Sequence, residues 1–202
     1  MQIIKLSVGQ LQANCYLVKI NDRECIIIDP GDDAEYIIDT IQQEKLIPKM
    51  ILATHGHFDH IMAVWQLQVI YQIPFFIDQE DEFLVKRMQQ SAQHFIPGIK
   101  CSPPPSKIKF WQNQNLKNFG FEIIKTPGHT PGSVSYFFQE QKTIFVGDVV
   151  FANGMIGRTD FKYCDSEKLR LSIERIFKLP GDIMVYPGHG EIILLSDLKK
   201  MF

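Results

Sequence analysis

Apolar residues in this chain come in short runs that stop at turn residues. In the first half, Asn14 to Val18, Glu24 to Asp29, Met50 to Leu52 and Pro74 to Ile77 read as strands. Ala34 to Glu44 reads as a helix. Ile61, Val64, Trp65, Leu67 and Gln68 carry helical spacing as far as Tyr71. Asp81 to Phe95 reads as one further helix, with Leu84, Met88, Ala92 and Phe95 along one stripe. Residues 97–106, rich in proline, form a loop or linker. The second half gives strands at Phe121 to Lys125, Ser133 to Phe138, Thr143 to Val146 and Ile183 to Tyr186. A helix from Ser166 to Leu179 sets Leu169, Ile173, Ile176 and Phe177 on one face, with Ser166 as its cap and Glu167 in its first turn. Two packed sheets with helices outside fit this order: an α/β (α+β) fold.

Composition narrows the class. At 202 residues and 45% hydrophobic content, the expectation is one compact domain spanning 1–202. A formal charge of −2 without a long basic run gives no reason to expect nucleic acid as a partner. No apolar run is long enough for a bilayer, and Met1 to Ser7 lacks the features of a signal peptide. Cys15, Cys25, Cys101 and Cys164 are scattered and read as reduced thiols, so a cytoplasmic location is expected.

Against that background one segment stands out. His55-Gly56-His57-Phe58-Asp59-His60 packs four candidate metal ligands into six positions, and three of the chain's six histidines lie there. Imidazole nitrogens and carboxylate oxygens are the donors that hold zinc, iron or manganese. The segment follows a strand and precedes a helix, where open α/β sheets place their sites. Gly56 is expected to let the backbone bend sharply. The construction recurs downstream: His129 sits in Thr126-Pro127-Gly128-His129-Thr130-Pro131-Gly132, Asp148 follows the Thr143 run, and His189 closes Pro187-Gly188-His189-Gly190. Other residues read more plainly. His94 lies outside every motif and reads as a surface or structural residue. Phe75, Phe76, Phe137 and Phe138 fit buried strands, and Cys15 fits core packing. Asp29, in Asp-Pro-Gly, reads equally as a partner of the ligand loop or as a turn initiator. Arg158 either meets an anionic substrate or pairs with Asp160.

Taken in order, THGHFDH, TPGHTPG, GD and PGHG resemble the metallo-β-lactamase superfamily, and within it the short glyoxalase II-like (hydroxyacylglutathione hydrolase-like) metallohydrolases. Ala13-Asn14-Cys15-Tyr16, Ile28-Asp29-Pro30-Gly31 and Gly157-Arg158-Thr159-Asp160-Phe161 extend the likeness over nearly the whole chain. The resemblance implies a four-layer αβ/βα sandwich with the metal site at one edge between the two sheets. It implies two divalent ions, zinc first and iron or manganese as alternatives. His55, His57 and His129 would hold one ion, Asp59, His60 and His189 the other, and Asp148 would bridge them.

A hydroxide bridging the ions would attack an acyl carbonyl, since metal-bound water ionises near pH ~7 at zinc. Asp148, by bridging, and Asp59, by moving a proton, are the candidate catalytic carboxylates. A thiolate leaves without a general acid, so the expected substrate is a small thioester such as S-lactoylglutathione. The alternatives are a lactone hydrolase or a persulfide dioxygenase. The latter would hold a single iron on His55, His129 and Asp148 and carries a segment like residues 157–161. The helical domain that follows the last metal histidine in glyoxalase II has no counterpart in residues 190–202.

Overall fold

The computed structural model describes residues 1–111 and 119–202. The chain divides into two compact units, Met1–Gln114 and Asn115–Phe202. Each is built around one sheet.

The first unit has six strands in sequence order: β1 (Ile3–Val8), β2 (Ala13–Lys19), β3 (Glu24–Ile28), β4 (Ile47–Leu52), β5 (Phe75–Ile77) and β6 (Ile108–Phe110). β1, β2 and β3 pair antiparallel, and β3 to β6 run parallel. Parallel neighbours need crossovers, and helices supply them. α1 (Ala34–Gln43) links β3 to β4, while α2 (Phe58–Ile61) and α3 (Val64–Tyr71) link β4 to β5. Alternate strand residues Cys15, Leu17, Cys25, Ile27, Ile51, Phe75 and Ile77 enter one core with Ile37, Ile41, Val64 and Leu67 of the helices. Each fully buried Ile or Leu in it contributes roughly 1.5–3 kcal/mol.

The helix expected over residues 81–95 is two helices, α4 (Glu82–Lys86) and α5 (Met88–Phe95), broken at Arg87. Leu84, Met88 and Ala92 are buried as the stripe requires. Phe95 is 43% exposed and instead stacks on Phe58, with ring centroids 5.9 Å apart.

The second unit carries β7 (Glu122–Lys125), β8 (Val134–Phe138), β9 (Thr143–Gly147), β10 (Met184–Pro187) and β11 (Ile193–Leu194), in sheet order β11-β10-β9-β8-β7. β9 and β10 are parallel, joined through α6 (Ser166–Phe177). Leu169, Ile173 and Ile176 of α6 pack with Ile144, Val146 and Val185. The cap of α6 is Asp165, not Ser166: its carboxylate accepts from the Lys168 N–H at 3.0 Å, and Ser166 is the first helical residue. A short α7 (Leu195–Leu198) buries Leu195 and Leu198 in the same core. The strands β6 and β11, like α7, carry too few residues to show a period in the sequence.

Candidate metal centre

The ligand turn of the first unit starts where β4 ends. Because β3 and β4 are parallel with Ile28 beside Leu52, Asp29 falls next to the residues that follow Leu52, and its N–H donates to the Leu52 carbonyl at 2.9 Å. Its carboxylate is buried and engages three donors. Oδ1 accepts from the Thr54 N–H at 2.7 Å, and Oδ2 accepts from the Thr54 hydroxyl at 2.6 Å and from His60 Nδ1 at 3.1 Å. Asp29 is therefore a partner of the ligand loop, which decides between its two sequence readings.

These bonds set the imidazole tautomers. The Thr54 hydroxyl has one proton and gives it to Asp29, so at 3.1 Å it must accept from His55 Nδ1. His60 Nδ1 likewise carries its proton toward Asp29. In both rings the lone pair is left on Nε2, the atom available to a metal. The His55 and His60 rings lie 4.2 Å apart and the His55 and His57 rings 4.8 Å apart. Asp59 Oδ2 is 3.7 Å from His60 Nε2.

Two close approaches fix the turn. Gly56 is required for room and not for a bend: a Cβ there would lie 2.9 Å from Leu84 Cβ and 3.0 Å from the Asp81 carbonyl. Its N–H donates to the buried Asp81 carboxylate at 2.8 Å. Gly31 passes so near the turn that a Cβ would sit 1.7 Å from the Asp59 carbonyl oxygen.

In the second unit the candidate ligands come from three segments. The Gly128 carbonyl accepts from Asp165 N–H at 2.8 Å and the Pro127 carbonyl from the Ser172 hydroxyl at 2.8 Å, which ties the His129 turn to the start of α6. Asp148 follows β9, and His189 follows β10; the parallel register, with Pro187 beside Gly147, brings both to the same end of the sheet. His129 Nδ1 donates to the Arg158 carbonyl at 2.9 Å, so Nε2 again holds the lone pair. Asp148 Oδ2 stands 3.6 Å from His129 Nε2 and 3.7 Å from His189 Nε2. Donors about 2.0–2.2 Å from one zinc ion are separated by a little over 3 Å, so these spacings suit ligands of a shared ion.

Arg158 pairs with Asp160 through two bonds, Nε to Oδ1 at 2.7 Å and Nη2 to Oδ2 at 2.6 Å. Its guanidinium lies 4.2 Å from the centre of the Phe161 ring. Hydrogen bonding to Arg158 holds the Asp160 carboxyl down to about 2, and the same bond raises the Arg158 pKa. The ion-pair reading of this segment is the one present. His94 is exposed, and Phe75, Phe76, Phe137 and Phe138 are buried in their strands. All four cysteines are free thiols; burial drives Cys15 well above its ordinary pKa and pushes Cys25 up to about 12.

Thr54 lies within the THGHFDH motif with no role evident from the sequence, Asp81 reads there only as the start of a helix, and no motif marks the Arg158 carbonyl. Adjacency to His55 was the one available signal for Thr54. A backbone carbonyl leaves none.

With that geometry in place, comparison with known proteins assigns the class. The chain belongs to the metallo-beta-lactamase superfamily of metal-dependent hydrolases, whose model matches residues 8–189. It is 37% identical to the hydroxyacylglutathione hydrolase GloC of Haemophilus influenzae, over 99% of this chain and 96% of that protein. It is 36% identical to the probable metallo-hydrolase YqgX of Bacillus subtilis, over 92% and 89% respectively. The crystal structure of TTHA1623 in a di-iron-bound form aligns at a TM-score of 0.90 and 33% identity, covering 98% of each chain. The two sheets with their helices are those of the superfamily fold. Among the described residues no helix is long and apolar enough to cross a membrane.

Proposed function

We propose that the chain is a dinuclear hydrolase of small thioesters, with S-lactoylglutathione or a close relative as substrate. The observation that carries this reading is the position of Asp148 Oδ2, nearly equidistant from His129 Nε2 and His189 Nε2. By family resemblance those two histidines serve different ions, so one carboxylate beside both suits two ions better than a single iron of the dioxygenase kind. The likeness to a hydroxyacylglutathione hydrolase supports the thioester.

In this reading His55, His57 and His129 would hold one ion, Asp59, His60 and His189 would hold the second, and Asp148 would be shared by the two. Bound there, two divalent ions supply an acidified water near neutral pH and polarise the carbonyl to be attacked. The chain's own part is aim. Asp29, Thr54 and the Arg158 carbonyl hold three imidazoles in the tautomer that presents Nε2. Asp59, partly exposed beside His60, would serve as the acceptor of the proton that the water gives up. The departing thiolate needs no acid, which relieves the site of a further group.

The test is thiol release from S-lactoylglutathione by protein loaded with two zinc ions per chain. Turnover that a chelator abolishes supports the proposal, and fully metallated protein that releases no thiol overturns it. Metal content sharpens it: Asp148→Ala is expected to lose both ions and His189→Ala chiefly one. An Asp148→Ala protein that retains two ions would exclude bridging.

A further inference from the structure

A cavity of about 570 Å3 opens beside His189, walled by Phe151, Ala152, Asn153, Met155 and Glu191. That volume lies within the range of small-molecule sites, roughly 300–1,000 Å3. The wall is mainly apolar. Phe151 meets the His189 imidazole edge to face, with centroids 6.1 Å apart, so the apolar surface begins at a candidate ligand ring. Met155 is 61% exposed and the adjoining Ile156 45%, a large exposure for such side chains.

The loop that presents them is held in one shape. Phe151 N–H donates to the Met155 carbonyl at 2.9 Å and Gly154 N–H to the Phe151 carbonyl at 3.0 Å. Met155 N–H donates to Asn153 Oδ1 at 3.0 Å, and Val150 bridges Ile156. The turn residue Gly154 takes a φ of +80° and packs near Met201. Asn153 thus has its amide oxygen committed within the loop, leaving Phe151, Ala152 and Met155 as the contact surface.

Charge selects what can enter. Among the described residues no lysine or arginine lines the cavity, and Glu191 is the acidic residue in its wall. The two parts of a hydroxyacylglutathione differ in this respect. The tripeptide carries two carboxylates and one ammonium, charges that a mainly apolar wall does not solvate, whereas the acyl group is uncharged. We propose that the cavity walled by Phe151, Met155 and His189 is the acyl subsite, and that it favours thioesters whose acyl group bears an apolar, ring-sized substituent. The inference rests on the thioester reading above and adds the acyl class to it.

Two measurements test it separately. With zinc-loaded protein, S-mandeloylglutathione is expected to exceed S-lactoylglutathione in kcat/KM by on the order of tenfold, the gain from burying much of a phenyl ring. Met155→Asp, at an exposed position, should bring that ratio close to one. Equal rates for the two esters in the unmodified protein overturn the proposal.

The second measurement does not depend on turnover. In protein labelled at methionine methyl groups, the uncharged probe mandelamide is expected to shift the Met155 resonance in a saturable way, and lactamide is not. Saturable binding of mandelamide without cleavage of either ester would retain the apolar subsite and reject the thioesterase reading. A Met155 resonance that mandelamide leaves unmoved overturns the subsite whatever the esters do.

Discussion

In Met1–Gln114 four candidate ligands lie within six residues, and side chains aim His55 and His60; in Asn115–Phe202 three are spread from residue 129 to residue 189, and a backbone carbonyl aims His129. His55 and His60 both depend on Asp29, one directly and one through the Thr54 hydroxyl. His129 depends on a carbonyl that any residue at position 158 would supply. The first arrangement is compact but has single points of failure. The second tolerates side-chain change and depends instead on how the strands are registered.

Where the two units agree is in close backbone approach, and the largest effects are expected there. A Cβ at Gly31 would lie 1.7 Å from the Asp59 carbonyl oxygen, and one at Gly157 would lie 1.9 Å from the Asp148 carbonyl oxygen. Neither carbonyl can give way without moving a candidate ligand. Gly31→Ala and Gly157→Ala are each expected to cost about 3 kcal/mol or more, read from the urea midpoint at constant slope. A loss confined to one of them would show that one backbone yields where the other does not.

Intermediate effects separate the units. Thr54→Val removes the acceptor for His55 Nδ1 and one donor to Asp29 while keeping the shape. Zinc affinity should fall roughly 10–100-fold, as for other partners of metal-bound histidines, and Thr54→Ser should restore it. The matching change in the second unit, Arg158→Ala, retains the carbonyl and should leave zinc affinity unchanged. Competition against a chromophoric chelator measures both.

The smallest effect belongs to the exposed Arg158–Asp160 pair. Asp160 is held down to about 2 by its bond to Arg158, from an ordinary 3.8. Its depressed folded-state value means that the pair's stabilisation is present above pH 3.8 and lost as pH falls through about 2. In Arg158→Ala a carboxyl titration by NMR should move the midpoint up toward 3.8. Exposure keeps the contribution to stability slight.

The same contrast explains what could be read from the sequence. Four candidate ligands in six residues make a local pattern, so His55, His57, Asp59 and His60 stand out at once as candidates. His129, Asp148 and His189 stand out as candidates because each follows an apolar run at a turn. Long strands and the amphipathic helices α1 and α6 showed their periods. The break at Arg87 did not, because Leu84, Met88 and Ala92 keep helical spacing across it. The cap of α6 was misplaced by one residue, since Asp165 and Ser166 are both good caps and only the bond to Lys168 distinguishes them. Gly56 was identified correctly but for the wrong reason, because its neighbours Asp81 and Leu84 come from a distant segment. Orientation of ligands is a tertiary property: it needs the parallel pairing of β3 with β4 before Asp29 can reach Thr54 and His60.

Asp29 has a further consequence. Its φ is 50°, in the left-handed region, where a side chain costs an ordinary L-residue about 1–2 kcal/mol and glycine nothing. The backbone alone would choose glycine at the one position whose carboxylate aims two imidazoles. Glycine would relieve that strain but would leave the Thr54 N–H, the Thr54 hydroxyl and His60 Nδ1 without their buried acceptor, at roughly 1–3 kcal/mol each. The three bonds that orient the imidazoles are therefore the same ones that hold the strained backbone, and a laboratory lineage enriched only for heat resistance would retain Asp29 without ever being asked to bind metal.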